Sequence, residues 1–403
     1  MMNHKFNRME SYDMEKNGKT DDIRHIAIIT TAPTAKNYGA YFQAYATQRL
    51  LEKSGYMVEL IAYSQNGTSE ATTVREIAAS LKGRKYFRDL PNLLRCIAAQ
   101  LAAAMLYPSV TRQRKSFSAF AERYLHVASA IYSDENSLKA NPPQADIYCT
   151  GGDQMWNEQY NGHKTKREYY LSWAPEGKPR ISLFTSIGKD RFDEWEKEEV
   201  RGLLSDYSLI SVREESGKKA IEDLGIKNVY HLQDPTILLD TEEWEALSDR
   251  RVIEEKYILL YEISRKAPLA AYARELARRT GLKVVRINYY MFDALKYGKS
   301  ITAPTLEQFL SLFRYAEYVI TNSFHGTAFS IVFGRKFAAV AGSNPGRLQS
   351  VLRYYGIAER ICGEPAKIYE VINQTIDYAG VKKKISDAKK DFDEYMKKVT
   401  DLL

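Results

Sequence analysis

Short apolar runs rich in β-branched and aromatic residues alternate with helical patterns along most of the chain. This alternation is typical of α/β proteins, in which helices connect the strands of a parallel sheet. The predicted strands form two series. The first comprises residues 26–29, 57–63, 146–149, 181–184, 209–212 and 229–232, and the second comprises 257–261, 284–287, 318–320 and 337–340.

The chain length of 403 residues exceeds what one hydrophobic core usually organises, so it predicts two domains. Residues 1–22 are polar, lack the apolar stretch of a signal peptide, and are expected to form a disordered tail. We predict an N-terminal α/β domain over 23–245 and a second over 254–380. Apolar residues at helical spacing in 381–403 predict a closing helix packed on one of the domains.

The formal charge is +7, from 58 basic and 51 acidic residues. This surplus is too small to indicate nucleic acid without a clustered patch, and it suits anionic metabolites or an anionic membrane surface. The three cysteines have no CxxC spacing, which favours a reduced, cytoplasmic protein without a disulfide framework. We find no group of residues at metal-ligand spacing and expect no metal.

Polar or glycine-containing clusters follow six of the predicted strands. Ligands of open α/β sheets bind beyond the carboxyl ends of the strands, so the clusters together predict one cleft between two facing domains. Each cluster alone is also explained by a tight turn, or by a solvated ion pair in the case of 213–214. The clusters are 37–39, 151–154, 186–188, 213–214, 234–235 and 322–326.

The segment 321–327, with the sequence TNSFHGT, lies between an apolar strand and an apolar helix pattern. The first N–H groups of such a helix lack an intrahelical partner, and the helix dipole places partial positive charge there. The turn therefore suits an anionic group, and we expect an acidic substrate to bind here.

Five motifs occur in a fixed order: NYGAYFQAYA from Asn37, GGDQMWN from Gly151, SVRE from Ser211, DPT from Asp234 and NSFHG from Asn322. Together they resemble the polysaccharide pyruvyl transferase family. The resemblance covers roughly residues 24–360, and thus spans both predicted domains.

The resemblance implies two Rossmann-like domains facing across a cleft, a GT-B-like fold. It also implies transfer of pyruvate from phosphoenolpyruvate to two sugar hydroxyls as a cyclic ketal, with no cofactor besides this donor. Arg213 and His325 match the residues with which the family engages the donor. Some relatives carry an arginine two residues before that histidine, where this chain has Ser323. The second anion contact is therefore expected from Arg347 or the helix N-terminus.

The residue types suit this chemistry. A donor with a phosphate and a carboxylate needs planar bidentate donors, which Arg213 supplies, and oriented N–H groups, which the turn at 323–327 supplies. To the same donor-binding group we assign Asn37, Gly39, Asn322, Ser323, Gly326 and Arg347.

Addition of a hydroxyl to C2 of the donor needs a proton at C3 and a base for the hydroxyl. We assign His325 as the general acid, because an ordinary histidine titrates near neutral pH. Asp153, Glu214 and Asp234 are the candidate bases. Trp156 offers a flat face for a sugar ring, but packing in the core explains it equally well.

Residues 90–107 are apolar apart from Arg95 and Gln100, and a basic segment, 82–88, precedes them. A charge in this position makes the segment a poor membrane span. Two interpretations remain: an amphipathic helix on the acceptor side that lies at the membrane surface, or a helix buried in the first domain. A lipid-linked saccharide acceptor would favour the first, with the protein at the inner face of the membrane.

Two other functions are compatible with the sequence. One is a glycosyltransferase of the same architecture that uses a nucleotide sugar, although no acidic residue is clearly placed to hold a ribose. The other is a non-catalytic scaffold at the membrane surface, which the presence of Asp153, Arg213 and His325 disfavours.

Overall fold

The computed structural model describes residues 24–31, 37–64, 73–82, 91–263, 269–289, 297–341 and 345–403. The predicted tail, 1–22, lies outside these residues. Within them the predicted fold class is confirmed, since two separate parallel sheets are connected by helices.

The first sheet has seven parallel strands in the order β3-β2-β1-β4-β5-β6-β7. Its central strands are buried because they carry near-continuous apolar runs, as expected for a sheet covered on both faces. The strands are β1 His25–Ile29, β2 Met57–Tyr63, β3 Val127–Tyr132, β4 Ile147–Thr150, β5 Arg180–Thr185, β6 Leu209–Val212 and β7 Val229–His231.

The second sheet has five parallel strands in the order β10-β9-β8-β11-β12. In each sheet the chain reverses its direction of winding once, between β1 and β4 in the first and between β8 and β11 in the second, and ligands of such sheets bind at these points. The strands are β8 Tyr257–Tyr261, β9 Lys283–Asn288, β10 Lys299–Thr302, β11 Tyr318–Thr321 and β12 Lys336–Ala339.

The outer strands β3 and β10 are absent from our sequence-based strand prediction. Both lie at a sheet edge and are largely exposed or half-buried, so small and polar residues occupy positions that a central strand would fill with apolar ones. Their sequences, VASAIY and KSIT, therefore lack the apolar run on which that prediction relied.

The helices of the described residues begin and end as follows: α1 Tyr38–Lys53, α2 Val74–Lys82, α3 Asn92–Tyr124, α4 Glu135–Ala140, α5 Glu194–Leu204, α6 Glu215–Glu222, α7 Pro235–Leu238, α8 Thr241–Leu247, α9 Ala270–Thr280, α10 Leu306–Arg314, α11 Phe324–Val332, α12 Pro345–Tyr354, α13 Ile368–Asn373 and α14 Tyr378–Thr400. Short 3₁₀ turns occur at Arg167–Tyr170, Ala358–Arg360 and Pro365–Lys367.

Aromatic side chains join the two halves of the molecule. The Phe42 ring of α1 contacts Phe309 of α10 and Phe329 of α11 at centroid distances of 5.4 and 5.0 Å. The Tyr38 hydroxyl donates to the carbonyl of Pro304 at 2.7 Å. These contacts hold the start of α1 beside the start of α11, and both helix starts contribute to the cleft described below.

The last helix, α14, follows the second sheet in sequence but packs against the first. The Tyr395 hydroxyl donates to the Ser182 carbonyl of β5 at 2.9 Å, and Phe392 stacks on Phe184 of the same strand. Lys389 pairs with Asp240 beside α8. The helix thus connects the second half of the chain back to the first.

Helix α3 is much longer than the predicted helix of 90–107, because it continues through Pro108 to Tyr124. Its C-terminal half is anchored by Phe117 and Phe120, which pack against Tyr41 of α1. By length and composition α3 is the one helix of the described residues that could cross a membrane. Only 22% of its most apolar 18-residue stretch is buried inside the protein. The interpretation of 90–107 as a helix buried in the first domain is therefore wrong for this stretch.

Candidate active site

The polar clusters predicted to meet do so between the two sheets. Arg213 and Glu214 follow β6, Asp153 follows β4, and Asp234 follows β7, whereas His325 begins α11 and Arg347 lies in α12. A cleft is lined from the first half by Arg213, Glu214, Gln233 and Asp234, and from the second by Phe324, Arg347, Ser350 and Val351.

Arg213 is the centre of this cluster. Its Nη1 lies 3.0 Å from Asp234, its Nε 3.3 Å from Glu214, and its Nη2 3.4 Å from Asp153. The Arg213 side chain is only 1% exposed. Burial alone would lower the pKa of Arg213, but the three carboxylates outweigh it and raise the pKa.

Arg347 is the second cation and is paired far less completely. Its Nε lies 3.3 Å from Glu214 Oε1, and its terminal nitrogens have no partner in the described part of the chain. Burial and the nearby positive charge of Arg213 lower the pKa of Arg347. Both cations lie close to the Phe324 ring, with the guanidinium carbons of Arg213 and Arg347 at 5.3 and 5.1 Å from its centroid.

Glu214 has one carboxylate oxygen without a partner. Oε1 accepts from the Ser186 hydroxyl at 2.8 Å and also lies against both arginines, whereas Oε2 is buried and makes no hydrogen bond to any described residue. A buried oxygen that lacks a partner is costly, so it is a natural place for a substrate hydroxyl.

Asp234 is engaged through both oxygens. Oδ1 accepts from the backbone N–H and the hydroxyl of Thr236, at 3.0 and 2.6 Å, and Oδ2 accepts from Arg213. Burial would raise the pKa of Asp234, but Arg213 and the Thr236 hydrogen bonds lower it overall. Asp234 therefore orients Arg213 and has both oxygens engaged. The same holds for Asp153, whose Oδ1 accepts from Arg213 and the Gln154 N–H and whose Oδ2 accepts from Thr31. Glu214, with its unpartnered Oε2, is the best-placed candidate base.

Asp153 has a left-handed backbone, with φ at 71°, which is uncommon for a residue with a side chain. Its backbone bonds across to Ser186, and its Oδ2 accepts from the Thr31 hydroxyl at 3.2 Å. The cost of this conformation is offset by these contacts, and they aim the carboxylate at Arg213. Burial raises the pKa of Asp153, but Arg213 and Arg347 lower it overall.

His325 packs directly against α1. A Cβ added to Gly39 would lie 2.2 Å from His325 Nδ1, and His325 Nε2 is buried with no hydrogen-bond partner among the described residues. Burial is the largest influence on its pKa, which falls from 6.5 to about 4; Asp234 and Asp153 oppose this fall, whereas Arg213 and Arg347 add to it. The free site therefore holds a neutral imidazole at neutral pH.

The start of α11 has the predicted form of an anion site. Ser323 is the N-cap and accepts from the Gly326 N–H at 3.3 Å, while the N–H groups of Phe324 and His325 have no partner in the described residues. The start of α1 faces it across Gly39, capped in turn by Asn37, which accepts from the Ala40 N–H. Two positive helix ends thus converge on His325.

Several residues predicted to bind the donor have a structural role that explains their identity without a ligand. Asn37 and Ser323 are N-caps, and Asn322 accepts from the Ile263 N–H at 2.8 Å. A Cβ at Gly326 would lie 2.3 Å from Thr321 Oγ1. Gly39 provides the space that His325 occupies. These residues shape the turn that presents His325.

The interpretation of Trp156 as a sugar platform is wrong. Its side chain is 1% exposed, its ring stacks on Tyr170 at 5.3 Å, and its Nε1 donates to the Tyr169 carbonyl. Trp156 is a core residue that supports the loop carrying Asp153.

Two contributors to the site were not found from the sequence. Phe324 lies close to both arginines, and His231 Nε2 lies 3.2 Å from the Arg213 carbonyl oxygen and 3.2 Å from the Gln233 amide nitrogen. Phe324 could have been noticed as the aromatic residue next to His325, but nothing in the sequence pairs His231 with Arg213.

Three carboxylates elsewhere, on Glu158, Asp193 and Glu196, offer oxygens within 4.8 Å of one another, a grouping the sequence did not reveal. Lys189 forms ion pairs with all three of them. An ammonium group therefore already occupies the position that a cation would take.

Several solved structures align over most of this chain. The S. aureus protein MnaA, solved with UDP, aligns over 94% of this chain and 98% of its own, with 11% identity and a TM-score of 0.50. The UDP-GlcNAc 2-epimerase of Neisseria meningitidis aligns over 93% and 100% with 13% identity and a TM-score of 0.46. A glycosyltransferase of avilamycin A biosynthesis aligns over 93% and 96% with 12% identity and a TM-score of 0.47.

These identities establish similarity of fold alone, and a search of curated protein sequences finds no match. The fold and the cleft define a GT-B-like enzyme with its polar site between two parallel sheets. The family model for polysaccharide pyruvyl transferase matches residues 37–344, most of the chain. The chain belongs to the polysaccharide pyruvyl transferase family, and it is a transferase.

Proposed function

We propose that the enzyme transfers pyruvate from phosphoenolpyruvate to two hydroxyls of a saccharide and forms a cyclic ketal. One observation carries the proposal: two arginines and an unpartnered histidine converge on the start of α11, opposite a glutamate with a free buried oxygen. The cluster provides cations for an acidic donor, a candidate general acid and a candidate general base within one cleft.

The donor would bind as an anion between the two helix starts. The free nitrogens of Arg347 and the N–H groups of Phe324 and His325 suit a phosphate or carboxylate. Arg213 is already held by three carboxylates, so it would attract the donor mainly through its positive charge. A direct hydrogen bond to the donor would require the donor to displace Asp153, whose contact with Arg213 is the longest of the three at 3.4 Å. Arg347 supplies the contact that the serine at position 323 cannot.

His325 would deliver the proton to C3 of the donor. Its pKa of about 4 leaves it neutral before the donor binds. A bound phosphate adds negative charge next to the ring, which raises the pKa and favours proton uptake. The site would therefore acquire the catalytic proton together with the donor.

Glu214 Oε2 would accept the proton of the attacking hydroxyl. C3 gains a proton from His325 and the first sugar oxygen bonds to C2. The second sugar oxygen then bonds to C2 as the C2–O bond to phosphate breaks, and its proton leaves with phosphate. The products are the ketal with its carboxylate and inorganic phosphate, so atoms and charge balance without a metal or redox partner.

The acceptor would be a sugar of a surface polysaccharide or of its lipid-linked precursor, and the reaction would take place in the cytoplasm, where the donor is made. The family match supports a saccharide acceptor. Phosphate release measured with a panel of acceptor saccharides would identify the sugar.

Calorimetric titration with phosphoenolpyruvate and, separately, with nucleotide sugars tests the proposal. We expect saturable binding of phosphoenolpyruvate, and phosphate release together with a pyruvate adduct when a suitable saccharide is added. Arg347→Ala should weaken this binding about 10- to 100-fold, whereas Arg353→Ala, which replaces an exposed arginine of the same helix, should leave it unchanged. Binding of a nucleotide sugar in place of phosphoenolpyruvate would instead support glycosyl transfer, and absence of binding by either would support a scaffold.

A further inference from the structure

The N-terminal half of α3 exposes an apolar face. Leu93, Ile97, Leu101 and Met105 recur every four residues, and their exposures are 73, 49, 63 and 53%. Leu94 beside them is 55% exposed. Such a spacing places these side chains along one side of the helix over about 18 Å. Exposed apolar faces of this size mark an interaction surface.

The opposite side of the same half-helix is buried. Ala99, Ala103 and Leu106 pack against Ile77 and Leu81 of α2. This packing and the anchoring of Phe117 on α1 fix the helix to the protein, so α3 cannot leave the fold to span a bilayer. The exposed face is therefore available only to a partner that approaches the protein from the solvent side.

The net charge of the chain is concentrated in the stretch of sequence that contains this face. Residues 82–115 contain eight basic residues and one acidic residue, whereas the rest of the chain contains 50 of each. The formal surplus of +7 is therefore carried by these 34 residues. Arg112 and Lys115, about two and three turns beyond the apolar stripe, are exposed.

We propose that this face of α3 docks on an anionic membrane surface, with the leucines in the interface and the basic residues against lipid phosphates. An apolar stripe flanked by lysine and arginine is the pattern of helices that lie in the membrane interface. A second copy of the chain fits poorly, because a symmetric contact would bring two strongly basic segments together.

The helix that carries this face also reaches the element beside the cleft. Phe117, farther along α3, contacts Tyr38 at 5.1 Å, and Tyr38 precedes the Gly39 that faces His325. Docking through α3 would thus hold the enzyme at the surface that carries lipid-linked acceptors. The role of docking in acceptor supply rests on the proposed function, but the docking itself does not.

Cosedimentation of the full chain with vesicles tests the docking. We expect binding to vesicles that contain phosphatidylglycerol, weaker binding in high salt, and little binding to pure phosphatidylcholine. Leu93→Glu/Leu101→Glu should reduce binding at least about tenfold. Trp195→Glu replaces another exposed apolar residue, 56% exposed on α5, and should leave binding unchanged.

Two results would overturn the docking: equal binding of wild type and Leu93→Glu/Leu101→Glu, or conversion of a wild-type dimer to monomer by these substitutions without lipid. Turnover with a water-soluble acceptor should be unaffected by Leu93→Glu/Leu101→Glu. If the wild type also fails to turn over a water-soluble acceptor, that result would count against the proposed function and not against the docking.

Discussion

The His325 ring lies directly on the backbone of Gly39, and a Cβ at position 39 would come within 2.2 Å of Nδ1. The two residues are the second residues of α11 and α1, and they come from the two halves of the molecule. The position of the histidine thus depends on the absence of a side chain nearly 300 residues earlier. Four predictions follow from this arrangement and from the charges around it.

Gly39→Ala should displace His325 and lower kcat at least about 100-fold, because a general acid must lie within hydrogen-bond reach of its target. The measurement is steady-state phosphate release with circular dichroism as a check on folding. Gly202→Ala, where an added Cβ meets no atom within 4 Å, is the control and should retain activity. Normal kcat in Gly39→Ala would show that the position of His325 is unimportant.

The two arginines should differ in what their removal costs. Arg213→Ala leaves three carboxylates without their buried partner and should destabilise the fold by about 3–5 kcal/mol. Arg347→Ala removes a single ion pair and should leave stability nearly unchanged, yet weaken donor binding about 10- to 100-fold. Urea denaturation and calorimetry separate the two effects. Equal stability loss in both variants would contradict the assignment.

Glu214→Gln should reduce kcat by about 10²–10⁴-fold while donor binding is kept or improved. The amide cannot accept the hydroxyl proton, and it no longer competes with the donor for Arg347. Glu215→Gln, the exposed neighbour, should behave as wild type. A loss of donor affinity without a fall in kcat would mean that Glu214 acts only by orienting the arginines.

His325 should make the fold sensitive to mild acid. Its pKa is about 4 in the folded state against 6.5 as the ordinary value, so between these values the unfolded chain binds more protons. Stability should therefore fall as pH decreases from about 6.5 to about 4, by up to about 3 kcal/mol from this residue. His325→Gln should flatten that part of the stability profile.

The carboxylates provide an internal reference for this experiment. The pKa values of Asp153 and Asp234 are lowered in the fold, so their contribution is present above their ordinary value of 3.8 and is lost at lower pH. The decline below pH 4 should persist in His325→Gln. An unchanged profile above pH 4 would show that His325 titrates normally.

Much of the fold was predictable from the sequence. The buried central strands have continuous apolar runs, and these identified the α/β class and both series of strands. The edge strands β3 and β10 were not predictable, because one side of an edge strand has no neighbour to demand apolar residues. The length of α3 was also missed, because the prediction followed the apolar run of 90–107 alone, whereas the helix continues through Pro108 to Tyr124, where Phe117 and Phe120 anchor it.

The composition of the site was also readable, but its arrangement was not. Arg213, Glu214, Asp153 and His325 were identified by their places after strands or at the predicted helix start, and Arg347 as a substitute for the arginine that position 323 lacks. The sequence could not show that three carboxylates surround Arg213 while Arg347 keeps free nitrogens. Trp156 illustrates the same point, because a flat aromatic ring in a site motif proved to be core.

The sequence by itself determined the buried strands, most of the chemistry-bearing residues and the family resemblance, because periodicity and local motifs are properties of neighbouring residues. Only the tertiary structure decided which of these groups are satisfied and which are free. Burial, ion pairing and pKa depend on distances between residues far apart in the chain, such as Gly39 and His325 or Asp153 and Arg213. The long-range packing that closes the two halves on each other sets those distances, and with them the protonation of His325.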